Sequence, residues 1–153
     1  MWRYDPEGGD RNARAGAAAR WWSAGVAAVC LAGLVLASQL RASDAGLGTH
    51  TQLGLAPCGF ESATGMPCVT CGMTTSFALA ADGRLIDAFQ VQPFGALLAV
   101  LTGVTVLLGG YAAVAGMSLA PLLSLLTRSS VILTSVALLL GAWAYKMMLS
   151  IGG

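Results

Sequence analysis

The sequence predicts an all-α integral membrane protein with three transmembrane helices and a short interfacial or re-entrant helix starting at a Cys-x-x-Cys. Three observations predict it. Only 10% of the 153 residues are charged and 56% are apolar, whereas a soluble domain carries about 25% charged residues. A body of this size has too much surface to cover with so few charges unless lipid replaces water as solvent. Uncharged runs cover 21–40, 62–81 and 88–127. The middle run is broken up by glycine, proline and hydroxyl side chains, so it makes a poor spanning helix.

The elements follow in chain order. Residues 1–20 mix Arg3, Arg11, Arg14 and Arg20 with Asp5, Glu7 and Asp10 and show no sustained apolar face. They read as a mobile polar tail. Residues 21–40 lie between Arg20 and Arg41 and would extend roughly 30 Å as a helix, the thickness of a hydrocarbon core. Trp21 and Trp22 stand where an aromatic belt lies. The run exceeds the apolar stretch of a signal peptide, about 7–15 residues, so it reads as an uncleaved anchor. Residues 41–92 form a loop region with the cysteine motif and short helices. Within it, Gly46, Gly48, Gly54 and Pro57 break every periodicity over 41–61. His50, the one histidine, reads there as a solvated loop residue. A turn through 64–67 leads into a helix from about Cys68 to Ala81, with Met73, Phe77 and Ala80 on one face. Arg84 to Gln90 reads as amphipathic turns. Pro93 opens the second span, 93–116. An inner connection, 117–128, leads to the third span, 129–149, where Lys146 can snorkel to the headgroups.

Three spans with the N-terminus inside place Arg3, Arg11, Arg14, Arg20 and Arg128 on the inner side and Arg41, Arg84 and Lys146 on the outer. The positive-inside bias favours this arrangement. The expected location is therefore a bacterial inner membrane, with the N-terminus cytoplasmic and the cysteine loop on the outer face. The bilayer is the first expected partner and other membrane-protein subunits the second. No basic stripe with interleaved aromatics supports nucleic-acid binding.

Cys58, Cys68 and Cys71 are spaced Cys-x9-Cys-x2-Cys, and three readings stand side by side. A Cys58–Cys68 disulfide would close the loop, stabilising it by roughly 2–3 kcal/mol. Cys68 and Cys71 would form a redox pair at a helix N-terminus, where free N–H groups favour thiolate. Cys58, Cys68 and Cys71 would hold zinc, with His50 or a second chain as fourth ligand. No cofactor is otherwise expected. Cys30, inside the first span, reads as a small packing residue. No ionisable side chain sits mid-span, which disfavours a transporter or channel. Gly25, Gly33, Gly103, Gly109 and Gly110 permit close helix contact.

The cysteine stretch resembles the signature of the domain of unknown function 2752 family, small bacterial membrane proteins. That signature runs Cys-Pro, an apolar residue, then Thr-Gly-x-Pro-Cys-Pro-x-Cys-Gly-x-Thr-Arg, with a Gly-Asp-Leu-like turn and an Asn-Pro opening the next helix. The matching positions are Cys58, Phe60, Thr64, Gly65, Pro67, Cys68, Cys71, Gly72 and Thr74, then Gly83, Leu85, Ala88 and Pro93. Gly59, Val69, Thr75 and Gln92 depart from the pattern, and Thr75 stands in place of its arginine. The resemblance implies a membrane location and a cysteine framework, with Thr64, Gly65, Pro67, Gly72, Thr74 and Pro93 as the residues that shape it. The leading functional expectation is a non-enzymatic accessory or interaction subunit with a structural cysteine site. Its rivals are a membrane thiol–disulfide oxidoreductase using Cys68 and Cys71, and a cysteine-ligated zinc site.

Overall fold

The computed structural model describes residues 6–116 and 124–152, with side chains over 16–116 and 124–148. Residues 1–5 of the expected tail and 117–123 of the inner connection lie outside the described residues. All regular structure among the described residues is helical: α1 (Pro6–Ser38), a 3₁₀ turn (Thr49–Leu53), α2 (Gly59–Thr64), α3 (Met73–Ala81), α4 (Leu85–Val91), α5 (Pro93–Ala115) and α6 (Ser129–Gly152). Among the described residues, three helical segments are long and apolar enough to cross a membrane: Gly16–Ser38, Pro93–Ala115 and Ser129–Met148.

The first helix starts earlier than the sequence suggested. It begins at Pro6, inside the segment read as tail. Proline suits a first helical position, and the alanine and arginine residues over 11–20 are strong helix formers that carry the helix into the apolar run. The Arg20 level of α1 and the C-terminal end of α5 are tied together. Arg20 Nε donates to the Ala113 carbonyl at 3.0 Å and its Nη2 to the Val114 carbonyl at 3.3 Å. Those carbonyls have no partner inside α5, and a cation at a helix C-terminus also meets the favourable end of the dipole.

The two helices approach closely at Gly109. A Cβ there would lie 3.0 Å from Ala27 Cβ and 3.2 Å from the Ser23 carbonyl oxygen, so a side chain would push α1 and α5 apart. The other glycines expected at helix contacts, Gly25, Gly33, Gly103 and Gly110, have nothing within 4 Å of such a Cβ.

Short helices α3 and α4 pack against α5, and α3 also against α1. Nine residues of α3 reach only about 14 Å, too short to cross a bilayer. Its buried face is Thr75, Ser76, Ala78 and Leu79, not the Met73–Phe77–Ala80 face that the spacing suggested. Small side chains win here because they allow close approach. A Cβ on Gly95 would sit 3.1 Å from Ser76 Cβ and 3.3 Å from Met73 Cα. The buried hydroxyls are satisfied, as burial requires. Ser76 Oγ donates to the carbonyls of Ala88 (2.6 Å) and Gln92 (3.0 Å) at the α4–α5 junction. Thr75 Oγ1 and Thr49 Oγ1 share a hydrogen bond at 2.8 Å. Leu79, Ala88 and Ala96 complete the core at this end. Helix α6 packs only lightly on α5, and Trp143 and Lys146 attach it to the cysteine segment.

Candidate functional site

The cysteine segment folds as a helix, a stop and a turn. Cys58 caps the start of α2. Gly65, at φ 70°, ends that helix by donating its N–H to the Glu61 carbonyl at 2.8 Å. Thr64 Oγ1 donates to the Phe60 carbonyl at 2.7 Å and accepts the Met66 N–H at 3.2 Å. Pro67 is buried at the start of the turn. The Cys71 N–H then closes onto the Cys68 carbonyl at 3.1 Å, so the Cys-x-x-Cys forms a turn ahead of the helix, and α3 begins at Met73 rather than Cys68. Gly72 caps α3 in the left-handed region at φ 85°. Thr74 follows in the first turn of α3, and Pro93 starts α5.

Three donors, two on α6 and one at the N-cap of α5, hold alternate carbonyls of this turn. The Trp143 indole N–H of α6 donates to Pro67 at 3.0 Å. The Gln92 amide donates to Val69 at 3.2 Å. The Lys146 ammonium of α6 donates to Cys71 at 2.9 Å. Gln92 is fully buried, and its Oε1 has no hydrogen-bond partner among the described residues.

The turn brings Cys58, Cys68 and Cys71 together, with all three Sγ atoms within 4.8 Å of one another. They line a cavity of about 320 Å³ with His50, Thr70, Gly72 and Thr74. Three such sulfurs can hold a metal ion, zinc among them. His50 shares the cavity wall, while its Nε2 lies 3.2 Å from the Ala56 carbonyl oxygen.

The expected Cys58–Cys68 disulfide is not present. All four cysteines are free, and the loop is closed by the backbone and threonine hydrogen bonds above. The close pair is Cys68 and Cys71, with Sγ atoms 3.0 Å apart. They are unequal. Cys71 is buried, with 7% exposure, whereas Cys68 is only half-buried. Burial alone would push the Cys68 thiol up. Hydrogen bonds from the Thr70 hydroxyl, the Cys71 and Cys58 thiols and the Thr70 N–H overcome it and bring the pKa from 9.0 down to about 7. Burial pushes the Cys71 thiol up to about 12, helped by its hydrogen bond to Cys68.

Four side chains at this site escaped sequence reasoning: Trp143 and Gln92, described above, and two that approach Cys71. The first of these two is Lys146, a cation that reaches the turn from 75 positions beyond Cys71. Instead of extending to headgroups, Lys146 belongs to the cysteine turn. The second is Glu61, whose Oε2 lies 3.8 Å from Cys71 Sγ. Spacing offered a weak signal for Glu61, which is the one acidic residue between Cys58 and Cys71.

Residues 58–106 match the model of the family described as protein of unknown function (DUF2752). That span runs from the first cysteine of the site to the middle of α5, so the resemblance seen in the cysteine motif is to this family. The matched segment holds every cysteine of the cluster, together with Glu61 and Gln92, while Trp143 and Lys146 come from outside it. No curated protein and no solved structure matches the chain.

Proposed function

We propose that this is a membrane-anchored thiol–disulfide exchange protein, with Cys68 as nucleophile, Cys71 as resolving thiol and a disulfide or dithiol of an exported protein as substrate. The carrying observation is the unequal pair: an accessible Cys68 and a buried Cys71 with sulfurs 3.0 Å apart. Exchange needs one sulfur that is thiolate near neutral pH and a second, shielded from outside reagents, that waits as thiol. A purely structural site needs no such difference, which is why this reading replaces the accessory-subunit expectation. The bias of inner arginines supports a bacterial inner membrane with the site on the outer face, where disulfide chemistry operates.

Redox titration of the purified protein, followed by mass spectrometry, tests the reading. The expected result is one reversible two-electron transition linking Cys68 and Cys71. A pair that never interconverts between dithiol and disulfide defeats it. Elemental analysis of natively purified protein covers the metal alternative: a full equivalent of zinc per chain, held against dilution, would make the three sulfurs a metal site instead.

A further inference from the structure

Resolution by Cys71 poses a problem that the site must solve. A buried thiol is a poor nucleophile until it loses its proton. Cys71 carries one proton and faces two acceptors, Cys68 Sγ at 3.0 Å and Glu61 Oε2 at 3.8 Å. While Cys68 is thiolate, the first acceptor takes the hydrogen bond. Once Cys68 is tied up in a mixed disulfide, its sulfur no longer carries charge, and the carboxylate is the stronger acceptor that remains.

From this geometry we infer that Glu61 is a catalytic residue, the base that takes the Cys71 proton as the mixed disulfide is resolved; the inference rests on the exchange reading above. Glu61 is placed for both halves of the task. It sits on α2, three residues before the helix end at Thr64 that Gly65 caps, so its backbone is fixed next to the turn. Its side chain also lines a separate cavity of about 440 Å³ with Asp44, Gly65, Pro67 and Lys146, through which a proton can pass to water. The charged groups around it are Lys146 from α6 and Asp44 from the loop after α1, with the thiols of Cys58 and Cys68 beyond Cys71.

The steps balance. The Cys68 thiolate attacks one sulfur of a partner disulfide. A Cys68–partner bond forms, the partner's S–S bond breaks, and its other sulfur leaves as thiolate and is protonated from water. Cys71 then passes its proton to the Glu61 carboxylate and attacks Cys68 Sγ. The Cys68–Cys71 bond forms, the mixed disulfide breaks, and the departing thiolate collects the proton from Glu61 through water. The two cysteines are oxidised and the partner disulfide is reduced.

Stopped-flow reaction of the reduced full chain with 2,2′-dipyridyl disulfide separates the two steps, because each releases one chromophoric thione. In Glu61→Gln the first release should stay within about twofold of the parent rate. The second should slow by about 100-fold, the low end for loss of a general base, and should rise about tenfold per pH unit, since the thiol must now ionise unaided. Glu61→Asp should recover part of the loss. An unchanged second release in Glu61→Gln overturns the inference, and so does an equal slowing of both releases, which would mark Glu61 as structural. Absence of any first release from the parent protein instead defeats the exchange reading itself.

Discussion

The Lys146 ammonium donates to the Cys71 carbonyl at 2.9 Å, joining α6 to the backbone of the residue that carries the buried thiol, across 75 positions of chain. Trp143, three residues earlier on the same face of α6, holds Pro67 in the same way. While α6 packs only lightly on α5, these two bonds attach it to the cysteine turn. The cysteine turn is therefore clamped between α5, through Gln92, and α6.

Releasing that clamp should expose Cys71. A hydrogen bond from a charged donor contributes about 1.5–3 kcal/mol, and 1.4 kcal/mol is a factor of ten. Lys146→Met, which keeps most of the apolar stem, should therefore raise the labelling rate of Cys71 by iodoacetamide about 10- to 100-fold. Trp143→Phe should give a smaller increase, because a neutral donor is lost. Mass spectrometry of the ratio of Cys71 to Cys68 adducts measures it. An unaltered ratio in Lys146→Met would mean that α6 does not hold the turn.

Alkylation should also report the split between the two thiols. The Cys68 pKa is lowered, so its reactive thiolate is gained early as pH rises. With a value of about 7, roughly half is thiolate at pH 7 and about one percent at pH 5. The Cys68 rate should climb from pH 5 and level off above pH 8, whereas Cys71, pushed up to about 12, should stay unlabelled throughout. Thr70→Val removes a hydroxyl 3.4 Å from Cys68 Sγ and should move the Cys68 midpoint upward. A Cys68 midpoint at the ordinary thiol value would contradict the site geometry.

What the sequence revealed follows the range over which each signal acts. The spans could be read because lipid acts on every residue of a helix, so runs such as 21–40 and 88–127 carry the signal redundantly. The cysteine cluster could be read because Thr64, Gly65 and Pro67 impose a local turn between Cys58 and Cys68. Lys146, Trp143 and Gln92 could not be assigned to it, since their partners lie 75, 76 and 23 positions away and no local pattern announces such contacts. The expected disulfide failed for another reason. It rested on the habits of exported cysteines, whereas the turn geometry brings Cys71, not Cys58, to 3.0 Å from Cys68. Likewise the buried face of α3 followed small side chains and satisfied hydroxyls rather than hydrophobicity.

The α1–α5 contact gives a paired test of helix packing. Gly109 and Gly110 are neighbours in sequence, but only at Gly109 would a Cβ meet Ala27 Cβ at 3.0 Å and the Ser23 carbonyl oxygen at 3.2 Å. Overpacking a close contact costs about 1–3 kcal/mol. Gly109→Val should lower the midpoint of thermal unfolding in detergent clearly, and Gly110→Val should leave it nearly unchanged. Equal effects of the two substitutions would show that α1 and α5 do not meet along this line.

Gly72 concentrates the constraints on the turn in one position. Its φ of 85° lies in the left-handed region, which costs a residue with a side chain roughly 1–2 kcal/mol. Space is short as well. A Cβ would meet the Lys146 ammonium and would lie 2.9 Å from the Gly46 carbonyl oxygen and 3.3 Å from Val91 Cγ1. The lysine tip can swing away, but the Gly46 backbone cannot, so relief has to come from the turn that carries Cys71. Gly72→Ala should thus lose more stability than the backbone term alone and should also loosen the hold of Lys146 on Cys71. It should reproduce the enhanced Cys71 labelling expected for Lys146→Met. Gly59→Ala is the control, because no atom lies within 4 Å of a Cβ there and its φ is not positive. Its Cys71 labelling should match the parent protein. Should Gly72→Ala leave both stability and labelling at parent values, the close passage of Lys146 and Gly46 against the cysteine turn would be wrong.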